Sequence, residues 1–264
     1  MGGRHVHDVR RFLRETLDEP TGDELVEAAR AAVAELAAPG ALLPLVRELA
    51  TGADDPSGCA LLSYRHVLGF DKLLLIDGGP RHMLRAHVWH PGRGTREDIH
   101  NHRSPLASCV VRGALGMELY EPVRTGTADS ADTADSADTA GEGLDTSWFR
   151  ESLSGRGGDW LLEPAGGARL RLTQSARYAA GSGYALPPHV LHRAWCASSG
   201  TTVTLFLETG SGRRRYTDVF AGPGADTGVT GTADVDLSGR AVAKKPLEVS
   251  DYLAELSALA ELLG

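Results

Sequence analysis

Two histidines one residue apart, His100 and His102 in "DIHNHRS", are the residues of this sequence best suited to chemistry. On an extended chain alternate side chains share a face, so both rings point the same way and can offer nitrogens to one cation. Neutral imidazoles bind Fe(II), Zn(II), Ni(II) or Cu(II), with a third ligand drawn from elsewhere in the fold. Downstream, "GYALPPHVLHRAW" supplies two more histidines, His189 and His192. Their offset of three puts them on opposite faces of an extended segment, so one of them completes the site. Pro187 and Pro188 fix the chain before His189 and favour a turn there. His192, inside the strand-like run, is therefore the preferred ligand; His189 is the second choice, or a group that supports substrate beside the metal. A surface turn that carries two histidines and no ion is the alternative.

Composition limits what such a site could serve. The chain has 264 residues, 42% of them apolar, and a net charge of −8. Its 27 lysines and arginines form no basic stripe, which argues against nucleic acid or an acidic membrane surface as the main partner. No run approaches the ~20 apolar residues of a membrane span, and the N-terminus lacks the apolar core of a signal peptide. Cys59, Cys109 and Cys196 form no CxxC pair, and a cytoplasmic, reduced protein with small buried cysteines is expected.

The elements that must position the histidines divide into two kinds. "DVRRFLRETL", "TGDELVEAARAAVAELAAPG" and "ALLPLVRELATG" have apolar residues at helical spacing. Thr21 and Glu24 stand at capping-box spacing, and Pro39-Gly40 marks a stop. "GADDPSG" is read as a linker, so a helical segment covers residues 1–58. From 59 to 222 short alternating runs with Gly and Pro punctuation predict an all-β barrel or sandwich. Within it, "TADSADTADSADTA" (Thr127–Ala140) holds no apolar residue larger than Ala and reads as a disordered insertion over 125–143. The tail, 223–264, closes with a helix capped by Ser250 or Asp251, packed on the barrel exterior or on a partner subunit.

The two histidine segments resemble the motifs of the cupins. Gly113 after the HxH strand, and Gly183 through His192, fit that pattern, although no acid follows His102 before Gly113. A three-histidine site without the acid is most similar to the cysteine and thiol dioxygenase group. Over Phe70–Glu208, "AHVWHPG", "DIHNHR", "VVRGAL", "LHRAW" and "TVTLFLE" follow that group's strand order. The resemblance implies a mainly β, cupin-type β-barrel (jelly roll) with N-terminal helices and a C-terminal helix, and His100, His102 and His192 as iron ligands. It puts Lys72 where the group has a carboxylate-binding arginine. It also puts Thr204, Phe206 and Glu208 where the group has a Ser-His-Tyr relay, and Leu106 near the position of the crosslinking cysteine.

The same register turns His87, and by parity Arg85, toward the pocket. A slip of one residue would turn both outward, Lys72 could be a solvated edge residue, and Glu208 could pair with Arg213 or Arg214 at the surface. Glu97 and Asp98 are placed on the rim and His90 outside, while His5, His7, His66 and His82 carry no signal. The expected function is a metal-dependent oxygenase, set in specialised metabolism, that uses Fe(II) and dioxygen on a small anionic or amino-acid-like substrate. Lys72 and Arg85 would hold the anionic group, with His189 and Thr204 beside it. His87 and Glu208 would move protons, Glu208 serving also as a potential fourth ligand. Zn, Ni or Mn in a non-redox isomerase or lyase, or a ligand-binding protein without catalysis, are the alternatives. A homodimer is left open.

Overall fold

Apolar residues at helical spacing fold the first sixty positions into four helices: α1 (Arg4–Leu17), α2 (Gly22–Leu36), α3 (Pro39–Ala50) and α4 (Pro56–Leu61). The computed structural model describes residues 3–66, 68–92, 96–123, 143–153, 160–210, 213–222, 241–242 and 245–264; the repeat at 127–140 lies outside them. Two boundary expectations change. Pro39 does not end a helix but opens α3, where its missing N–H costs nothing. Part of the supposed linker is α4, because the Asp55 carboxylate accepts the Gly58 N–H at 2.9 Å and caps it. Thr21 does sit at the N-cap of α2, yet its side chain makes no cap bond.

The strands follow as β1 (Tyr64–Arg65), β2 (Phe70–Asp77), β3 (His82–Trp89), β4 (Ile99–His100), β5 (Leu106–Arg112), β6 (Ala114–Pro122), β7 (Gly143–Leu153), β8 (Trp160–Ala179), β9 (Gly183–Leu186), β10 (Leu191–Cys196), β11 (Thr202–Thr209), β12 (Thr217–Ala221) and β13 (Ala241–Val242). They form two antiparallel sheets, β1-β2-β3-β11-β5-β9 and β13-β8-β6-β10-β4-β12-β7. The expected mainly β architecture with helices at both ends is present. One stretch is longer than its sequence suggests: "EPAGGARLRLTQSARYA" reads as short strands, but it belongs to the twenty-residue β8. Pairing with β7 on one side and β6 on the other carries that strand through its Pro and Gly.

Period-two alternation gives the first sheet two different faces. Leu84, Ala86 and Val88 of β3 and Val203, Leu205 and Leu207 of β11 join one buried cluster with the helices. Their neighbours of opposite parity face the second sheet. There Phe70, Trp89, Leu106 and Phe206 pack with Leu115, Met117 and Ala194. Gly113 turns β5 into β6 at a φ of 76°. Only glycine suits that conformation, and a Cβ there would lie 2.4 Å from the Thr202 hydroxyl.

The final helix, α5 (Val249–Leu263), has Glu248 at its N-cap, not Ser250 or Asp251. It buries Tyr252, Leu256 and Leu259 against α3, α4 and β2, on the exterior of the barrel as expected. Among the described residues no single helix is long and apolar enough to cross a membrane. The bent pair α2–α3 passes by length and composition together, but its apolar residues belong to the buried core.

Tyr252 ties this helix to the wall of the barrel, its hydroxyl donating to the Leu74 carbonyl at 2.6 Å. Tyr252→Phe should leave that buried carbonyl one donor short and cost about 1–3 kcal/mol, read as a lower urea midpoint with an unchanged m-value.

Candidate metal centre

The His-Asn-His triplet is held by its middle residue. Asn101 is buried, and its amide donates to the Asp218 carboxylate at 2.8 Å while its carbonyl oxygen accepts the Asp218 N–H at 2.8 Å. A backbone bond from the Asn101 N–H to the Asp218 carbonyl (3.1 Å) joins the same two residues. Trp148 and Arg214 also donate to Asp218, at 3.1 and 2.9 Å. With Asn101 turned toward β12, alternation turns His100 and His102 the other way. His192 arrives from β10, whose register sets it opposite His100.

The three rings meet as the spacing predicts, with centroids 5.0 Å apart for His100 and His102, 4.7 Å for His100 and His192, and 5.1 Å for His102 and His192. One ring nitrogen from each lies within 4.8 Å of the others. Nδ1 of His100 faces the Asp98 carbonyl at 2.8 Å, and Nδ1 of His192 faces the Val190 carbonyl at 3.3 Å. A nitrogen against a carbonyl must carry the proton, which leaves the Nε2 lone pair free for a metal. Burial, reinforced by His100, lowers the His192 pKa to about 3, and the same two causes lower that of His102. Three converging imidazoles, two of them with tautomers fixed by backbone carbonyls, suit a first-row divalent ion.

The site opens onto a cavity of about 280 Å³, and the first sheet forms the facing wall. Strand register aligns Lys72, His87 and Thr204 in one row across β2, β3 and β11. The Lys72 ammonium lies 5.3 Å from the Phe70 ring centroid and forms no ion pair among the described residues. His87 stacks on Phe206 at 4.7 Å, and its Nε2 is buried without a hydrogen-bond partner among the described residues. Burial, then the charges of Lys72 and Arg85, push its pKa well below the ordinary histidine value. Lys72, Arg85, His87, Thr204 and Glu208 all line the cavity, Arg85 sharing the face of His87 as parity along β3 requires. Glu208 does not pair with Arg213 or Arg214; it pairs with Arg85 at 3.2 Å, and it stands outside the ligand group.

One candidate lies apart from the others. His189 sits exposed in a turn after Pro187 and Pro188 and is not among the residues that line the cavity. His90 is paired with Asp71 at 2.6 Å and is also absent from the lining.

Other residues join the cavity without a signal in the sequence. His66 stacks on Phe70 at 4.5 Å. Glu97 and Asp98 reach inward rather than staying on the rim; burial raises the Asp98 carboxyl to about 6. Glu151 comes from β7, placed by its pairing with Thr217 two residues from the partner of His100. Burial raises the Glu151 pKa to about 7, opposed by the charges of Lys72 and Arg103. Nothing in "SWFRESL" marks this glutamate, because what selects it is the pairing of β7 with the distant β12.

No family model and no curated protein matches the chain. Among solved structures, a single-residue variant of the oxalate decarboxylase of Bacillus subtilis is similar at 13% identity and a TM-score of 0.31, over 59% of this chain and 29% of that one. KdgF from Halomonas sp. is similar at 14% identity and a TM-score of 0.29, over 54% of this chain and 80% of that one. The formate complex of Lactobacillus farciminis oxalate decarboxylase follows at 11% identity and a TM-score of 0.30, over 57% and 31%. The chain thus spans less than a third of the oxalate decarboxylase chains that it matches.

Two outcomes follow from this geometry. Asn101→Ala frees the segment between the two ligands and should weaken Zn(II) binding about 10- to 100-fold in a competition assay while circular dichroism stays unchanged. Glu151 holds its proton in the folded state where the unfolded chain, with a pKa of 4.5, releases it. The associated stability is full below the unfolded value and lost as the pH rises through about 7. In metal-free protein, Glu151→Gln should therefore match the wild-type urea midpoint near pH 4.5 and exceed it at pH 8.

Proposed function

We propose that the chain is a metal-dependent enzyme of the cupin type, an oxygenase resembling the thiol dioxygenases. On this reading it holds iron(II) at His100, His102 and His192 and oxidises a small anionic or amino-acid-like molecule. The observation that carries the reading is a three-imidazole group opening onto a cavity whose facing wall presents the Lys72 ammonium. Three neutral ligands leave adjacent coordination positions free. Iron(II) bound there would supply the electrons that make dioxygen reactive toward a neighbouring substrate.

The chain's own residues do the rest. Lys72 attracts the anionic group as a point charge without fixing its orientation. Trp89, Phe206 and Leu115 line the cavity with apolar surface and exclude water around the reacting atoms. The neutral, unpartnered Nε2 of His87 accepts a proton, with the Thr204 hydroxyl in the neighbouring strand beside it. Arg85 fixes Glu208, so that carboxylate meets substrate only as a member of the pair. A cytoplasmic setting and assembly as a homodimer belong to the same proposal.

One observation favours a second reading. A buried carboxyl with a pKa of about 7, Glu151, in the same cavity as the histidines suits acid–base chemistry around a Lewis-acidic Zn, Ni or Mn, as in a non-redox isomerase or lyase. Anaerobic purification with metal analysis, followed by oxygen-electrode assays of thiols and amino acids, separates the two. About one iron per chain, oxygen uptake with one of these compounds, and loss of both in His192→Ala are expected. Stoichiometric zinc with no oxygen uptake would refute the oxygenase and leave the Lewis-acid enzyme. A purely binding protein would turn over nothing with either metal.

A further inference from the structure

Lys72, Arg85, Arg103, Arg213 and Lys245 all line the cavity, more cationic groups than one anionic substituent requires. Most are accounted for. Arg85 is paired with Glu208 through Nη1, leaving only its Nε unmatched among the described residues, and the Nε of Arg103 donates to the Arg214 carbonyl at 3.0 Å. Lys245 lies exposed at the rim. Lys72 has the role given above.

Arg213 is different. Its Nε and Nη2 are both buried, and neither has a hydrogen-bond partner among the described residues. These two nitrogens form one edge of the guanidinium, with two N–H bonds running side by side. Their spacing matches the two oxygens of a carboxylate. The nearby acids are engaged elsewhere: Glu208 with Arg85, and Asp218 with Asn101, Trp148 and Arg214. A buried donor left unmatched destabilises the fold, and more so when the donor is charged. Here two stand on a single edge of a side chain that lines the cavity.

Strand register separates this group from Lys72. Lys72 lies in the row of His87 and Thr204, whereas Glu208 is four residues further along β11, about 13 Å at an extended rise. Arg213 follows Glu208 in the chain, and the backbone of its neighbour Arg214 is bonded to that of Arg103 at 2.7 Å, immediately after His102. Arg213 therefore enters beside His102 from the Glu208 end of the wall. Lys72 and Glu208 mark different ends of the same wall, and Arg213 comes from the loop that follows the Glu208 end.

We propose that Arg213 is a second anion anchor and that the substrate is a small dicarboxylic acid. One carboxylate lies against Lys72 and the other spans the Nε–Nη2 edge of Arg213. This rests on the cavity being the substrate site of a metal-dependent enzyme, and it narrows that substrate to a class.

The test is calorimetric titration of the zinc-loaded full chain with malonate, succinate and glutarate, each against the monoacid of equal carbon number. At least one diacid should bind tenfold or more tighter than its monoacid. Arg213→Gln should bring that diacid to the monoacid level, leaving monoacid affinity and zinc stoichiometry unchanged. Arg213→Lys, which keeps the charge and loses the paired donors, should fall between the two. Equal binding of diacids and monoacids by the wild-type protein, absence of diacid binding, or equal loss for both in Arg213→Gln would overturn the anchor. Repeating the titration on metal-stripped protein keeps the two claims apart. A diacid preference that persists in a chain unable to retain any metal supports the anchor and refutes the metal enzyme.

Discussion

The pairing of Asn101 with Asp218 is the constraint on which the site depends. Two side-chain bonds and one backbone bond fasten the stretch between the histidines to β12. Because β4 itself is only two residues long, its own ladder could not hold that stretch alone. The polar cluster around Asp218 also draws in Trp148 from β7 and Arg214 from the loop before β12. A single carboxylate thus joins the ligand segment, the strand that carries Glu151, and the loop that carries Arg213. Such a network rigidifies its surroundings when every member is matched, and here it lies just outside the ring of imidazoles.

The second organising fact is how the helices are used. They lie on one face of one sheet, where leucines, valines and alanines of α1 to α5 merge with those of β2, β3, β5 and β11. That layer takes up the apolar burden on one side. The other side of the sheet can then carry a lysine, an arginine, a histidine and a glutamate in a space of limited solvent access. Without the helices, both faces of this sheet would have to be apolar or wet.

What could be read from the chain in advance was whatever follows from local spacing. His100 and His102 share a face because strands alternate, and His192 rather than His189 completes the group because prolines fix the turn before it. The parity of Arg85 and His87, counted along one strand, also held. What stayed hidden depends on pairing between distant segments. Glu151 reaches the cavity through β7 and β12, which are joined only after the chain has passed through β8, β9, β10 and β11. His66 lies in a connection between two strands, where periodicity gives no direction. Arg213 stands in a run of three arginines that reads as a solvated turn, and nothing in that run separates it from Arg214 or Arg215. The length of β8 was concealed for a related reason, since its Pro and Gly residues carry turn chemistry locally and are overridden by partners on both sides.

Strand β11 shows what a two-faced sheet means for the history of such a protein. Val203, Leu205 and Leu207 answer to the helices, while Thr204 and Glu208 answer to whatever molecule enters between the sheets. The two sets alternate along one segment yet share almost no neighbours. Replacements in the second set can accumulate without loosening the first. New chemistries can therefore be sampled on this scaffold at little risk to its folding, one inward-pointing side chain at a time.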